Sequence, residues 1–311
     1  MDICRSLKEV KPSYESVVTI GTFDGLHRGH QEVIKHVVST ASAHNSNSVV
    51  VTFEPHPRHV LDQNSTFPLL IGIEDKLRLI GNLGVDKTLV IPFDISFSKM
   101  TASAFLNQII VVNFQPKRIV VGYDHHFGQN REGSPEFLLQ YGKDNHIDVK
   151  IINPIHDQDV IISSTHIRKL ISDGFVRRAS FELGWVFGFR AVVVPGSGRG
   201  KGLKFPTANF LPVENNQLLP RKGVYFARGR INGKSLYGMC NLGVRPTFNE
   251  TDFVMEVHFF EKSIGDLYEK EITIEFLERI RDEKKFMDSS ELKIQLATDQ
   301  QTCKQLMNKY H

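Results

Sequence analysis

Cysteine is scarce in this chain: Cys4, Cys240 and Cys303 are all that 311 residues contain. No CxxC occurs and no spacing suggests pairing, which argues against a disulfide framework or a cysteine zinc site. Long apolar runs are missing. The amino terminus, MDICRSLKEVKPSYES, has no apolar signal core, and no stretch approaches the length that spans a bilayer. Excess charge is missing too. A net charge of +3 leaves no broad basic surface, so neither nucleic acid nor an anionic membrane is an expected partner. There is no internal repeat and no low-complexity tract. These absences leave a globular protein of a reducing, cytoplasmic compartment, long enough for two domains. A homo-oligomer is compatible with them.

The pattern along the chain changes once. In the first half, VVTI (17–20), VVVTF (49–53), TLVIPF (88–93), RIVVGY (118–123) and VKII (149–152) are short β-branched runs. Helical patterns fall between them, at about 30–43, 74–82, 101–110 and 134–142. Continuous apolar strands alternating with helices indicate a Rossmann-like α/β domain, its parallel sheet covered on both faces. After VIISSTHIRKLISDG, a capped amphipathic helix, comes a short basic stretch at Arg177 and Arg178. Beyond it the runs become strand-like and are punctuated by glycine and proline, with Asn232-Gly233 as a hairpin turn. A charged amphipathic helix closes the chain. The expectation is an α/β domain over 1–180 and a small antiparallel β-barrel with a C-terminal helix over 181–311.

The stretch GTFDGLHRGH (21–30) sits where the first of these strands runs into a helix. Ligands of parallel sheets bind beyond the carboxyl ends of strands. Glycine lets a backbone approach a ligand, and a helix N-terminus favours phosphate. His27 and His30, at i and i+3, can both donate to phosphate oxygens. Together these suit attack at the α-phosphate of a nucleoside triphosphate. A tight βα turn with surface histidines would show the same residues.

In the second half, Thr207 and Asn209 of PTANF are two apart, so on an extended stretch they face one way and can share a magnesium ion bridging phosphates. GSGRGKG (196–202) is a cationic loop that could wrap phosphates. It misses a P-loop because Pro195 stands where the first glycine is required. Glu256, in FVMEVHFFE, shares a strand face with His258. A carboxylate there can accept the proton of an alcohol in phosphoryl transfer, or can simply face solvent.

These motifs, in order, resemble the bacterial bifunctional riboflavin kinase/FAD synthetases. GTFDGLHRGHQ is similar to their nucleotidylyltransferase signature. TFEPHP, GVDKTLVIPFD, VGYDHHFGQNREG and ISSTHIR follow, then KFPTANF, NLGVRPTF, MEVHFFE and FLERIRDEKKF. The resemblance implies a nucleotidylyltransferase domain that transfers AMP from ATP to FMN, giving FAD and pyrophosphate. His27 and His30 would contact the ATP phosphates, and Gly21, Phe23 and Asp24 would shape the pocket. Asp124 would lie near the substrates, while Ser164, Thr165 and Arg168 would form a second phosphate clamp. It implies a second domain that phosphorylates riboflavin with ATP. There Glu256 would be the base, and Thr207 and Asn209 would hold Mg2+ and ATP. Gly198 and Gly200 would wrap the nucleotide, and Arg281 would contact flavin. The sequence departs from the family pattern at His125, Pro195, Lys204 and Glu269. The last two replace glycines at turns, which leaves a second reading: an FAD synthetase whose kinase-like domain only binds flavin. An aminoacyl-tRNA synthetase is disfavoured, because SFSKMTAS (96–103) falls before the fourth strand rather than after the nucleotide sheet.

Overall fold

Valine and isoleucine runs with no polar alternation must be covered on two faces, and the first of two compact units, Met1–Ser164, does this. A computed structural model describes residues 1–12, 15–62, 67–195, 205–231, 233–246, 251–261, 265 and 267–310. In chain order the unit contains β1 (Asp2–Cys4), β2 (Ser16–Ile20), α1 (Arg28–Ala43), β3 (Ser48–Glu54), α2 (Pro57–Leu61), α3 (Ile73–Asn82) and β4 (Lys87–Pro92). Then follow α4 (Ala102–Phe105), α5 (Val112–Phe114), β5 (Pro116–Gly122), α6 (Pro135–Asn145) and β6 (Asp148–Ile152). A small hairpin, β7 (His156–Asp157) and β8 (Val160–Ile161), ends it.

The main sheet is parallel throughout, in the order β1-β4-β3-β2-β5-β6. Alternate residues of each strand enter opposite cores. Val49 and Val51 pack with Phe105, Leu106 and Phe114, whereas Val50 packs with Ile34 and Ile80. Each such side chain, fully buried, contributes about 1.5–3 kcal/mol. The helix expected over 101–110 runs further, through π-helical turns at Leu106–Val111 into α5, and stops at Gln115 with φ +41°. From β2 the chain passes to β3 and β4 on one side; β5 and β6 lie on the other. The order reverses between β2 and β5, so their carboxyl ends flank the crevice in which such sheets bind ligands.

The second unit, Thr165–His311, contains the antiparallel barrel and C-terminal helix. Helix α7 (Ser164–Ser172) leads into α8 (Val176–Leu183). Strands β9 (Gly188–Val194), β10 (Ala208–Pro212), β11 (Gly223–Ile231), β12 (Lys234–Pro246), β13 (Thr251–Phe259) and β14 (Glu271–Arg281) follow. They close in the order β10-β13-β12-β11-β14-β9, every pairing antiparallel. Ile231 pairs with Lys234, and Gly233 between them has φ +77°. Buried Phe187, Phe189 and Tyr225 surround Phe276, with ring centroids 5.5–6.1 Å away. The last helix, α9 (Ser289–Met307), is capped by Asp288, whose carboxylate accepts the N–H groups of Ser290 and Glu291. It packs Leu296, Cys303 and Leu306 on Phe226, Met239 and Leu277. The basic stretch around Arg177 and Arg178 is helix α8. Val176, Ala179 and Leu183 form its buried stripe, and Gly184 ends it at φ +75°.

Candidate active sites

GTFDGLHRGH folds as the strand–turn–helix that its pattern suggests. His27 is the N-cap of α1, and its Nδ1 accepts the N–H of His30 at 3.4 Å. That acceptor role leaves the proton of a neutral His27 on Nε2. The two imidazoles stack, centroids 3.7 Å apart and planes 21° from parallel. A Cβ at Gly29 would sit 3.1 Å from the His27 ring, which would have to give by a few tenths of an ångström. A Cβ at Gly21 would come within 2.9 Å of the Phe23 ring, which would have to shift. The turn is tightly wound, with Phe23 at φ +48°, Gly25 at +77° and Leu26 at +37°. His30 is held neutral, its pKa well below 6.5, first by burial, then by His27 and Lys76. Its Nδ1 is buried with no hydrogen-bond partner among the described residues.

Ser164 brings the ISSTHIR stretch to this turn: its hydroxyl donates to the Asp24 carbonyl at 2.9 Å. The Asp24 carboxylate accepts the Leu70 N–H at 3.1 Å. Asp124 is exposed just past β5, at the sheet edge where β2 also ends. His125 stacks on Phe127 at 5.3 Å, and its pKa is lowered to about 4, by burial and then by His126. Thr165 and Arg168 belong to the second unit, on α7, the helix that Ser164 opens.

In the barrel, Thr207 and Glu256 meet directly. The threonine hydroxyl donates to Glu256 Oε2 at 3.0 Å. Asn209 on β10 and Asn241 on β12 are both the register partners of Glu256 on β13. Directly opposed residues share a sheet face, so amide, carboxylate and amide form one row across three strands, with the Thr207 hydroxyl beside it. Neutral and anionic oxygens grouped in this way suit a hard cation such as Mg2+. His258 lies two residues along the same strand. Its Nδ1 is 2.8 Å from the Pro206 carbonyl and its Nε2 is 3.3 Å from Gln300 Nε2.

Other expected residues fall elsewhere. Gly198, Gly200 and Lys204 lie outside the described residues. Arg281 is engaged: its Nε donates to both Asp299 oxygens at 3.0 Å, and Nη2 donates to Oδ2 at 2.7 Å. Glu269 does occupy a glycine-like conformation, at φ +61°. The sequence reading missed Asn241, whose signal was an asparagine in a strand-like run. It also missed Lys76, whose signal was a lysine at helical spacing from Ile73 and Ile80.

Residues 10–166 match the FAD synthetase family and residues 183–307 match the riboflavin kinase family. The chain is 35% identical to the bifunctional riboflavin kinase/FMN adenylyltransferase of Buchnera aphidicola over 96% of both chains. It belongs to the bifunctional riboflavin kinase/FMN adenylyltransferase family. The enzymes of the same name from Bacillus subtilis and Escherichia coli K12 are each 33% identical to it, over 92% and 94% of this chain and 91% and 93% of theirs. A solved structure from Streptococcus pneumoniae described as a macrolide-efflux protein has the same fold. Its TM-score is 0.88 at 30% identity, over 97% of this chain and 98% of that one. Among the described residues no helix here is long and apolar enough to cross a membrane.

Proposed function

We propose that the chain performs both reactions of its family, each within one of its domains, with 1–180 as the FMN adenylyltransferase domain and 181–311 as the riboflavin kinase domain. In the kinase, Glu256 accepts the proton of the riboflavin 5′-hydroxyl as that oxygen bonds to the γ-phosphorus of ATP and the bond to ADP breaks. Thr207 orients the carboxylate by its hydrogen bond. Thr207 and Asn209 would hold a magnesium ion, which when bound offsets the charge of the ATP phosphates. The loop containing Gly198 and Gly200 is proposed to cover the nucleotide, and Arg281 to border the flavin site.

In the adenylyltransferase, a phosphate oxygen of FMN bonds to the α-phosphorus of a second ATP, and the bond to pyrophosphate breaks. Fixed donors hold the charge that builds at phosphorus: the N–H groups at the start of α1 and the imidazoles of His27 and His30. Gly21, Phe23 and Asp24 shape the pocket and Asp124 borders the substrates. Ser164, Thr165 and Arg168 supply the second clamp, the arginine as a fork for phosphate.

One observation supports this reading most: the oxygen-rich row around Glu256 and the stacked histidines occur in different units. The test is to incubate the protein with riboflavin and MgATP and separate the flavins over time. FMN followed by FAD is the expected result. FAD formed from added FMN, with riboflavin untouched, would leave the barrel as a flavin-binding module.

A further inference from the structure

Lysine is poorly suited to the buried side of a helix, yet α3 places Lys76 there, 4% exposed. A methionine would cover the same volume without removing a charge from water. Among the described residues its one hydrogen-bond partner is the Thr22 carbonyl, at 3.0 Å, and it forms no ion pair. The same carbonyl accepts from Thr52 Oγ1 at 3.3 Å. Thr22 lies at the head of the turn in which Phe23 and Leu26 hold positive φ, a conformation that side chains rarely adopt unless the surroundings enforce it. Lysine and threonine hold the head of this turn, and the Leu70 N–H holds Asp24 just beyond it.

We infer that Lys76 is a positioning residue for adenylyl transfer, fixing the GTFDG turn through the Thr22 carbonyl and placing a positive charge behind the phosphate site. The charged and titratable groups that act on it or feel it are Asp24, Glu54 and His30, with His27 stacked on the last. Burial lowers the Lys76 pKa, and Asp24 and Glu54 offset part of that by favouring the charged form. Its field helps keep the His30 imidazole neutral. A neutral imidazole still donates one N–H to a phosphate oxygen, and the cation behind it offsets incoming negative charge at no cost in reorganisation. This inference rests on the adenylyl-transfer reading of the same site.

The test uses the full chain with Lys76→Met, Lys76→Gln and Thr52→Val. FMN adenylylation is measured as kcat and KM for ATP, with riboflavin phosphorylation in the same preparation as the control. Lys76→Met is expected to lower adenylylation kcat about 100-fold, the size of effect that misplaced reacting groups produce. The kinase rate should not change. Lys76→Gln, which keeps a donor but no charge, should lose an intermediate amount. Thr52→Val should lose less than either. A histidine titration followed by NMR separates this role from plain packing. His30 should titrate at higher pH in both lysine variants and be unmoved in Thr52→Val. If Lys76→Met does not fold, Lys76→Gln decides in the same assays. Wild-type kcat and KM in the lysine variants, or a lost rate with His30 titrating as before, overturns the inference. If the wild type makes no FAD from FMN, the functional reading falls and this inference with it. If the wild type makes FAD and Lys76→Gln matches it, only this inference falls.

Discussion

Replacing Glu269 by glycine should stabilise the barrel. Glu269 is exposed and sits at φ +61° in the turn before β14. Its N–H donates to the Val193 carbonyl at 3.0 Å, and the next N–H, of Lys270, donates to Leu267 at 3.1 Å. Both bonds are backbone bonds and survive the substitution. A side chain in the left-handed region costs roughly 1–2 kcal/mol through crowding of Cβ against the following carbonyl. Glycine relieves that crowding but loses more chain entropy on folding, roughly 0.5–1 kcal/mol. The balance favours glycine by about 0.5–1 kcal/mol, which for a unit of this size raises the melting temperature by roughly 2–3 °C. Calorimetry of the full chain, following the transition lost in barrel-destabilised variants, measures this. Glu269→Ala keeps the strained φ and removes only the charge, so it should not gain. A gain for alanine with none for glycine would place the effect in the carboxylate and refute the backbone argument.

Two further substitutions test His125 and Arg281. His125, its pKa lowered to about 4, is protonated more readily when the chain is unfolded, where the ordinary value is about 6.5. Stability therefore falls as pH drops from about 6.5 to about 4. His125→Phe should abolish that component, so its melting-temperature advantage over wild type should grow across that window and be flat above neutrality; a constant difference would contradict the assignment. Arg281→Met leaves the 2% exposed Asp299 as a buried charge without its guanidinium, which should cost the barrel about 3–5 kcal/mol in urea unfolding. Retained stability with a raised KM for riboflavin would make Arg281 a flavin contact instead.

The fold was largely legible because its strands are unusually plain. VVTI and VVVTF are uninterrupted, as strands buried on both faces must be, and the turns between runs are marked by glycine and proline. The short edge strand Asp2–Cys4 was not legible, because three residues carry no period. Helix α8 was obscured by Arg177 and Arg178, which lie on its solvent side while Val176, Ala179 and Leu183 do the packing. At the sites, residue types and spacing pointed to His27, His30, Thr207 and Asn209, since their chemistry depends on local geometry. Lys76, Asn241 and the Arg281–Asp299 pair depend on contacts between segments far apart in the chain, which no local pattern carries. The positive φ values of Phe23 and Leu26 were hidden for the same reason: the turn is held by Lys76, Thr52 and Leu70, not by its own residue types.

The central claim is that two independent sites divide the two reactions, and a crossed pair of variants tests it most directly. Glu256→Gln keeps the shape and removes the proposed base, so riboflavin phosphorylation should fall about 10²–10⁴-fold while FMN adenylylation is unchanged. His30→Ala removes an imidazole proposed to donate to phosphate, so adenylylation should fall about 10²–10³-fold while phosphorylation is unchanged. If either folded variant loses both activities, or if Glu256→Gln still phosphorylates riboflavin at the wild-type rate, the division of labour is contradicted.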